Sequence, residues 1–493
     1  MKKFLDPDLE IVSELGEKLI NGKVGVVAHY YMDVELQGVL DAIKSHQKEQ
    51  DIKNGNEVIS RIAIADSLAM GDHAVKMAKS GATSIVCLGV DFMAESVSAI
   101  LGKNGFSHIP VYRATKSKIG CSLAESAERT SYKAWLTLAA NAPHKALHVV
   151  YINTSLTTKA LSASIVPTIT CTSSNVLRTL LQASAQMGPD ELTIYYGPDT
   201  YMGENLVTML QAILDSGWSD ERIKNELHPE HDRKSIELLK SKINVFPEGN
   251  CVVHHMFGQD VVDTVKQYYN DAYVTAHLEV PGEMFQIAME KSLNDHGTVG
   301  STSDILKFIS NKVSDAAKVD VDVDIDDNSN KSSSVKRLRF VLGTEAGMVT
   351  SIVRSVQTIL KENNSQNVEA EIIFPVASEA MTIVDEENPD LSIVPGVSAG
   401  EGCSTAGGCA TCPFMKMNDL DALSDIVDMV IEGGDRNQLT LKGHLPPARH
   451  DSMINGMNAV ELGVQPIVHM RDFMQHGVLS DDLIQKINTG ISS

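Results

Sequence analysis

The sequence predicts a mixed α/β protein: three pseudo-threefold-related αβα sandwich domains with short parallel sheets. Three observations carry that prediction. Short apolar strands alternate with helical patterns, the signature of parallel sheets covered by helices. Polar clusters follow the strands, at the carboxyl ends where open α/β sheets bind ligands. The same order of motifs then recurs three times, at a spacing of roughly 125 residues.

Each third opens on an apolar strand that runs through a polar cluster into a helix: "VGVVAHYYMDVELQGVL", "ALHVVYINTSLTTKAL" and "AYVTAHLEVPGEMFQIA". These place His29, Tyr151 and His277 at matching positions. A hydroxyl at a helix start comes next, in "IADSLAMGDHAVKMA", "TCTSSNVLRTLLQ" and "GSTSDILKFI". A further strand and an acidic turn follow, in "SIVCLGVDFMAES", "LTIYYGPDTYMGENL" and "RFVLGTEAGMVTSI". Each third closes on a cysteine: Cys121, Cys251, and a group around Cys412.

Two stretches interrupt this order. "DSGWSDERIKNELHPEHDRKSIELLKSKINVFPEG" reads as a helical, charged surface extension over residues 216–249. "VDVDVDIDDNSNKSSSVKR" is acidic and then rich in Ser and Asn, and reads as a solvated loop near 319–335. Its alternating Asp residues lack the turn Gly and terminal Glu that a calcium loop requires.

The totals agree with a globular protein of two to four domains. At 493 residues the chain exceeds one core, and 43% hydrophobic with 22% charged residues is ordinary for a globular protein. No apolar run is long enough to span a bilayer, so no membrane partner is expected. The opening "MKKFLDPDLEIVSELGEKL" reads as an amphipathic helix of a cytoplasmic protein. A net charge of −22 argues against general nucleic-acid binding, because a phosphate backbone is repelled on average. Small anionic substrates remain compatible with it.

"GCSTAGGCATCPFMKMNDL" gathers Cys403, Cys409 and Cys412. Zinc needs a second close pair or well-spaced His ligands, and neither is nearby. A thioredoxin-like pair belongs at a helix start after a strand, not behind a Gly/Ser-rich segment. An iron–sulfur cluster taking one cysteine from each third fits better. Three thiolates leave one iron open as a Lewis acid, which suits chemistry rather than electron transfer. Cys87 and Cys171 read as small buried residues.

At this point the motifs resemble the quinolinate synthase family, iron–sulfur enzymes of de novo NAD biosynthesis. The matching segments are "VVAHYYMDVELQ", "ADSLAMG", "GVDFMAES", "GCSLAES", "VYINTSLTTKA", "CTSSNVLRTL", "GPDTYMGENL", "GNCVVHHMFG", "AHLEVPGE", "GSTSDIL", "GTEAGM" and "CATCPFMKMNDL", in the family's order from about residue 24 to 430. The resemblance implies a central 4Fe–4S cluster held by Cys121, Cys251 and Cys412. It implies domains over 1–120 with 413–493, 121–250, and 251–412, the last carrying the acidic insertion. Cys403 and Cys409 are then neighbours, with a Cys409–Cys412 disulfide as one regulatory hypothesis.

The reaction implied is condensation of iminoaspartate with dihydroxyacetone phosphate, releasing phosphate and water and closing the pyridine ring. Glu279 is the expected general base, His277 orients substrate beside it, and Tyr31 assists proton transfer. His29, Tyr151, Asn153 and His254 are expected to hold substrate groups. Ser67, Ser173, Ser301 and Thr302, at helix starts, are the expected carboxylate and phosphate binders, although N-capping is the commoner role of such a hydroxyl. L-aspartate oxidase is the implied source of iminoaspartate. Met32, Ala65, Leu278 and Val280 depart from the usual family pattern beside the site. Two competing readings are a 4Fe–4S hydro-lyase and a non-enzymatic redox-sensing iron–sulfur protein.

Overall fold

The computed structural model describes residues 7–53, 55, 60–326, 335–375, 412–447, 453–454 and 456–490, with side chains left aside for 319–326. In chain order the strands are β1 (Val24–His29), β2 (Ile62–Ala65), β3 (Ser84–Leu88), β4 (Val111–Arg113), β5 (Lys145–Tyr151) and β6 (Thr168–Cys171). They continue as β7 (Leu192–Gly197), β8 (Ile243–Val245), β9 (Tyr273–His277), β10 (Gly297–Gly300), β11 (Lys336–Gly343) and β12 (Val368–Ile373). Each pairs in parallel: β1 with β2, β3 with β4, β5 with β6, β7 with β8, β9 with β10 and β11 with β12. The expected α/β architecture of short parallel sheets between helices is therefore present.

Two compact units divide the chain. One comprises Met1–Asp66 and Val252–Gly433. In it β1 and β2 pair, and β9 to β12 form a four-stranded sheet of order β10-β9-β11-β12. All six residues of β1 are buried, as expected for a strand covered on both faces, which reads as a continuous apolar run. Helices Thr302–Asp326 and Met348–Glu362 cover β11, enclosing Ile305, Ile309, Phe340, Leu342 and Ile352. The opening amphipathic pattern forms helix Leu9–Asn21, capped by the Asp8 carboxylate, with Val12, Leu15 and Leu19 on its buried face.

The other unit comprises Ser67–Cys251 and Gly434–Ser493. It pairs β3 with β4 and forms a second sheet of order β6-β5-β7-β8. Tyr132, Leu136, Val166 and Phe246 pack one side of this sheet. Helix Ala459–His476 lies so close to the start of helix Leu156–Ile165 that a Cβ at Gly463 would stand 2.2 Å from the Leu156 carbonyl oxygen. Only glycine permits that approach.

The two interrupting stretches differ from expectation. Residues 216–249 form helices Asp220–Glu226 and Arg233–Ser241, as expected for a charged extension, but also supply β8, which pairs with β7 at the edge of the sheet. The acidic stretch is not a loop from its start. Helix Thr302–Asp326 runs through "VDVDVDID" to Asp326. Adding a residue to an existing helix is far cheaper than nucleating one, so a long amphipathic helix carries a poorly helical tail with it.

Candidate active site

Register pairs at the strand ends aim the site. His29 faces Ala65, Tyr151 faces Cys171, and His277 faces Gly300 across their parallel ladders. Ser67, Ser173 and Thr302 each follow two residues after the second member of the pair. Strand-end side chain and hydroxyl thus leave the sheet at its carboxyl edge in every third.

In the first unit these residues meet. The Glu279 carboxylate lies 2.9 Å from His254 Nδ1 and 3.8 Å from His277 Nδ1. The two imidazoles stack with centroids 4.8 Å apart, and all three residues are buried. The Glu279 backbone N–H donates to His277 Nδ1 at 3.3 Å, and burial pushes His277 down to about 3. His277 is therefore neutral at physiological pH, and because Nδ1 accepts, its proton sits on Nε2.

His29 repeats this arrangement. Its Nδ1 accepts the Tyr31 N–H at 3.2 Å, and burial pushes its pKa down to about 4. Two neutral imidazoles thus each carry an Nε2–H donor. The Tyr31 ring lies 4.6 Å from His29 and 6.2 Å from His254, with its hydroxyl 3.2 Å from the Thr302 hydroxyl. Burial, and after it the Glu279 charge, push the Tyr31 phenol well above its ordinary range, so it is a proton donor rather than a phenolate. Ser301 caps its helix: its Oγ donates to Asp304 Oδ2 at 2.6 Å and accepts the Asp304 N–H at 3.2 Å.

In the second unit Tyr151 is buried at the end of β5 and Asn153 is half-buried just beyond it. Ser67 opens helix Ser67–Lys79. Ser173 does not open its helix. It stands in a turn, and the helix begins at Val176 with Asn175 as cap. The Asn175 Oδ1 accepts the Thr172 N–H at 2.9 Å, which spends the helix start on an Asn-centred turn and leaves Ser173 ahead of it.

Cys251, His254 and Glu279 have ligand atoms within 4.8 Å of one another and can hold a metal ion. Cys251 sits three residues before His254, ahead of the short 3-10 turn His254–Met256. Cys121, Cys251 and Cys412 are half-buried, whereas Cys87 and Cys171 are fully buried and burial drives their thiols up. Metal ligation requires a reachable thiolate, so the first three suit a metal cofactor and the last two do not. Cys403 and Cys409 lie outside the described residues.

Sequence reasoning gave no role to Glu345, which the structure ties to this site. Its buried carboxylate accepts the Gly347 N–H at 2.8 Å and the Cys412 N–H at 3.1 Å. Burial raises its pKa to about 8 against the lowering effect of those two donors. Gly347 in turn packs on the Tyr31 loop, where a Cβ would meet the Tyr31 Cα at 2.9 Å. The Gln37 amide nitrogen donates to the carbonyls of Tyr30, Met32 and Gly347 at 2.7–3.0 Å. The only sequence signal for Glu345 was its place in the third acidic turn.

Comparison with known proteins gives the chain's family. The family model NadA, described as quinolinate synthetase A protein, matches residues 13–380. A chloroplastic quinolinate synthase of Arabidopsis thaliana is 44% identical over 98% of this chain and 64% of its own length. The corresponding protein of Oryza sativa subsp. japonica is 44% identical over 99% of this chain and 66% of its own. A quinolinate synthase of Sulfurisphaera tokodaii is 27% identical over 84% of this chain and 89% of its own. The chain thus spans about two thirds of the length of the plant relatives it matches. By that match and by these identities, the chain belongs to the quinolinate synthase A family.

Proposed function

We propose that the chain is a quinolinate synthase, condensing iminoaspartate with dihydroxyacetone phosphate to quinolinate, phosphate and water in NAD biosynthesis. The observation that carries this reading is the buried Glu279 carboxylate, 2.9 Å from His254 Nδ1, in one cluster with the stacked His277 ring and the Tyr31 ring. Glu279 accepts the proton removed during enolisation, and His254 Nδ1–H steadies the carboxylate as it does so. Tyr31, kept protonated, returns a proton to a departing or tautomerising oxygen, with Thr302 fixing its hydroxyl. His29 and His277 donate through Nε2 to substrate oxygens. Tyr151 and Asn153 hold further substrate groups, and Ser67, Ser173, Ser301 and Thr302 are the proposed carboxylate and phosphate binders.

Cys121, Cys251 and Cys412 would hold the 4Fe–4S cluster, which supplies a Lewis acid for loss of a hydroxyl as water. The three-domain division at residues 120, 250 and 412 belongs to the same proposal, supported by the strand pairing that recurs in each third. So do supply of iminoaspartate by L-aspartate oxidase and a reducing, cytoplasmic setting. Among the described residues no helix is long and apolar enough to cross a membrane.

Anaerobic purification with iron and sulfide counting, followed by a product assay with both substrates, tests this reading. Four irons per chain and quinolinate formation are expected. A fully loaded protein that forms no quinolinate would overturn it.

A further inference from the structure

Lys159 is a fully buried lysine that the reaction outlined above does not use. Its Nζ donates to the Ile152 carbonyl at 3.0 Å, to the Thr154 hydroxyl at 2.9 Å, and to the Thr154 carbonyl. An ammonium has three donors, and all three end on the short segment that contains Asn153 and follows Tyr151. From the other end the buried Glu95 carboxylate accepts the Leu156 N–H at 2.8 Å. Burial pushes Lys159 down to about 7, with Glu95 opposing that shift, so holding an ammonium here is costly. An apolar side chain would fill the volume without that cost.

The repeat shows what the position is for. Lys159 is the fourth residue of helix Leu156–Ile165 and stands eight positions after Tyr151. Gln37 is the fourth residue of helix Val34–Lys53 and stands eight positions after His29. Helical side chains lean toward the amino end, so a fourth residue covers the loop that enters its helix. Gln37 does so by donating to the Tyr30 and Met32 carbonyls, on either side of Tyr31. In the third copy the same place holds Phe285, fully buried, after a loop stiffened by Pro281 at the helix cap. The scaffold therefore accepts an apolar residue at this place. A polar one appears where the entering loop must be tied by its carbonyls.

We propose that Lys159 is a positioning residue that fixes the Tyr151–Thr154 loop by its carbonyls, as Gln37 fixes the loop bearing Tyr31. The link to catalysis rests on the substrate-holding roles proposed for Tyr151 and Asn153. Lys159 touches no reacting atom in this account. Its loss loosens the loop and weakens substrate binding, while the protons handled by Glu279 and Tyr31 are unaffected.

The test compares reconstituted wild-type holoenzyme with Lys159→Met and Lys159→Gln. Hydrogen–deuterium exchange is followed by mass spectrometry in residues 151–156 and, as internal reference, in β7. In Lys159→Met exchange of the loop should rise about tenfold with β7 unchanged, since only a local opening is made easier. KM for one substrate should rise about tenfold with kcat within about twofold, the pattern of lost uniform binding. Lys159→Gln, which keeps an amide donor as at Gln37, should fall between the two. If Lys159→Met does not accumulate as folded protein, Lys159→Gln carries the same expected directions. Unchanged loop exchange, equal loosening of loop and β7, or a fall in kcat at constant KM each overturns the proposal. The exchange measurement needs no turnover, so it judges the brace even if the wild-type protein makes no quinolinate.

Discussion

Around Glu279 several buried polar side chains meet one another; around Lys159 they end mostly on the backbone, with the Thr154 hydroxyl as the exception. Glu279 meets His254 and His277, and Tyr31 meets Thr302, side chain to side chain. Lys159 and Glu95 instead hold carbonyls and an N–H of one loop. The two environments are equally dry, so burial alone does not separate a reacting group from a supporting one. What separates them is the partner. A carboxylate beside an imidazole N–H, as Glu279 is beside His254, can exchange a proton with it, whereas the Lys159 ammonium serves to hold the carbonyls it meets in place.

This contrast fixes what substitutions should do. Glu279→Gln removes the base but keeps an amide of the same size, so quinolinate formation should fall by about 10²–10⁴-fold in a product assay. Iron content and thermal unfolding should stay close to wild type, and a large loss of iron would move Glu279 from the reacting set to the ligand set. Glu345→Ala should act through the metal. By freeing the Cys412 N–H it should weaken iron retention by about 10–100-fold against a chelator, the effect expected of groups that orient ligands. Retention equal to wild type would show that Cys412 needs no such anchor.

A smaller effect separates the two regions by acid. His148, fully buried on β5 with Tyr132 OH at 2.8 Å from its Nε2, is pushed down to about 3 by burial. The unfolded chain takes up that proton first, at an ordinary value of about 6.5. Its contribution to stability is therefore intact above pH 6.5 and is lost as pH falls from there toward about 3. His148→Phe should flatten the acid limb of a thermal-unfolding series while leaving the pH profile of turnover unchanged. The smallest effect is expected at Asp199, whose carboxylate accepts the Met202 N–H at 2.9 Å. Asp199→Ala should lower stability by about 1 kcal/mol in denaturant titration, the usual loss for an N-cap, without touching iron content.

The acidic turns show how far the sequence could be read. Asp91, Asp199 and Glu345 were legible as one repeated feature because each follows a strand and a glycine by the same spacing. Their tasks were not legible. Asp91 pairs with Arg113 at 2.7 Å, Asp199 caps a helix, and Glu345 reaches a backbone N–H 67 residues further on. Spacing reports the local geometry that a strand and turn impose, but a hydrogen bond made across long sequence separation leaves no periodic trace. Strand ends were readable for the same reason: β1, β5 and β9 stop at His29, Tyr151 and His277, where apolar runs give way to polar residues. The start of the helix after Ser173 was not, since Ser, Ser and Asn in a row all suit a cap, and the turn that Asn175 closes on the Thr172 N–H is one of several such turns open to them.

One feature of the chain's length bears on engineering. The charged extension at 216–242 leads into the amino end of β8, and the long acidic helix leads toward the amino end of β11. At the opposite rim, only one residue separates Gly300 from Thr302, and adding another would swing the hydroxyl away from His277. Both long stretches thus lead to the strands' amino ends, away from the strand-end residues. Affinity tags or reporter domains spliced into those amino-side connections should be tolerated, while a single alanine inserted after β10 should silence the protein without unfolding it.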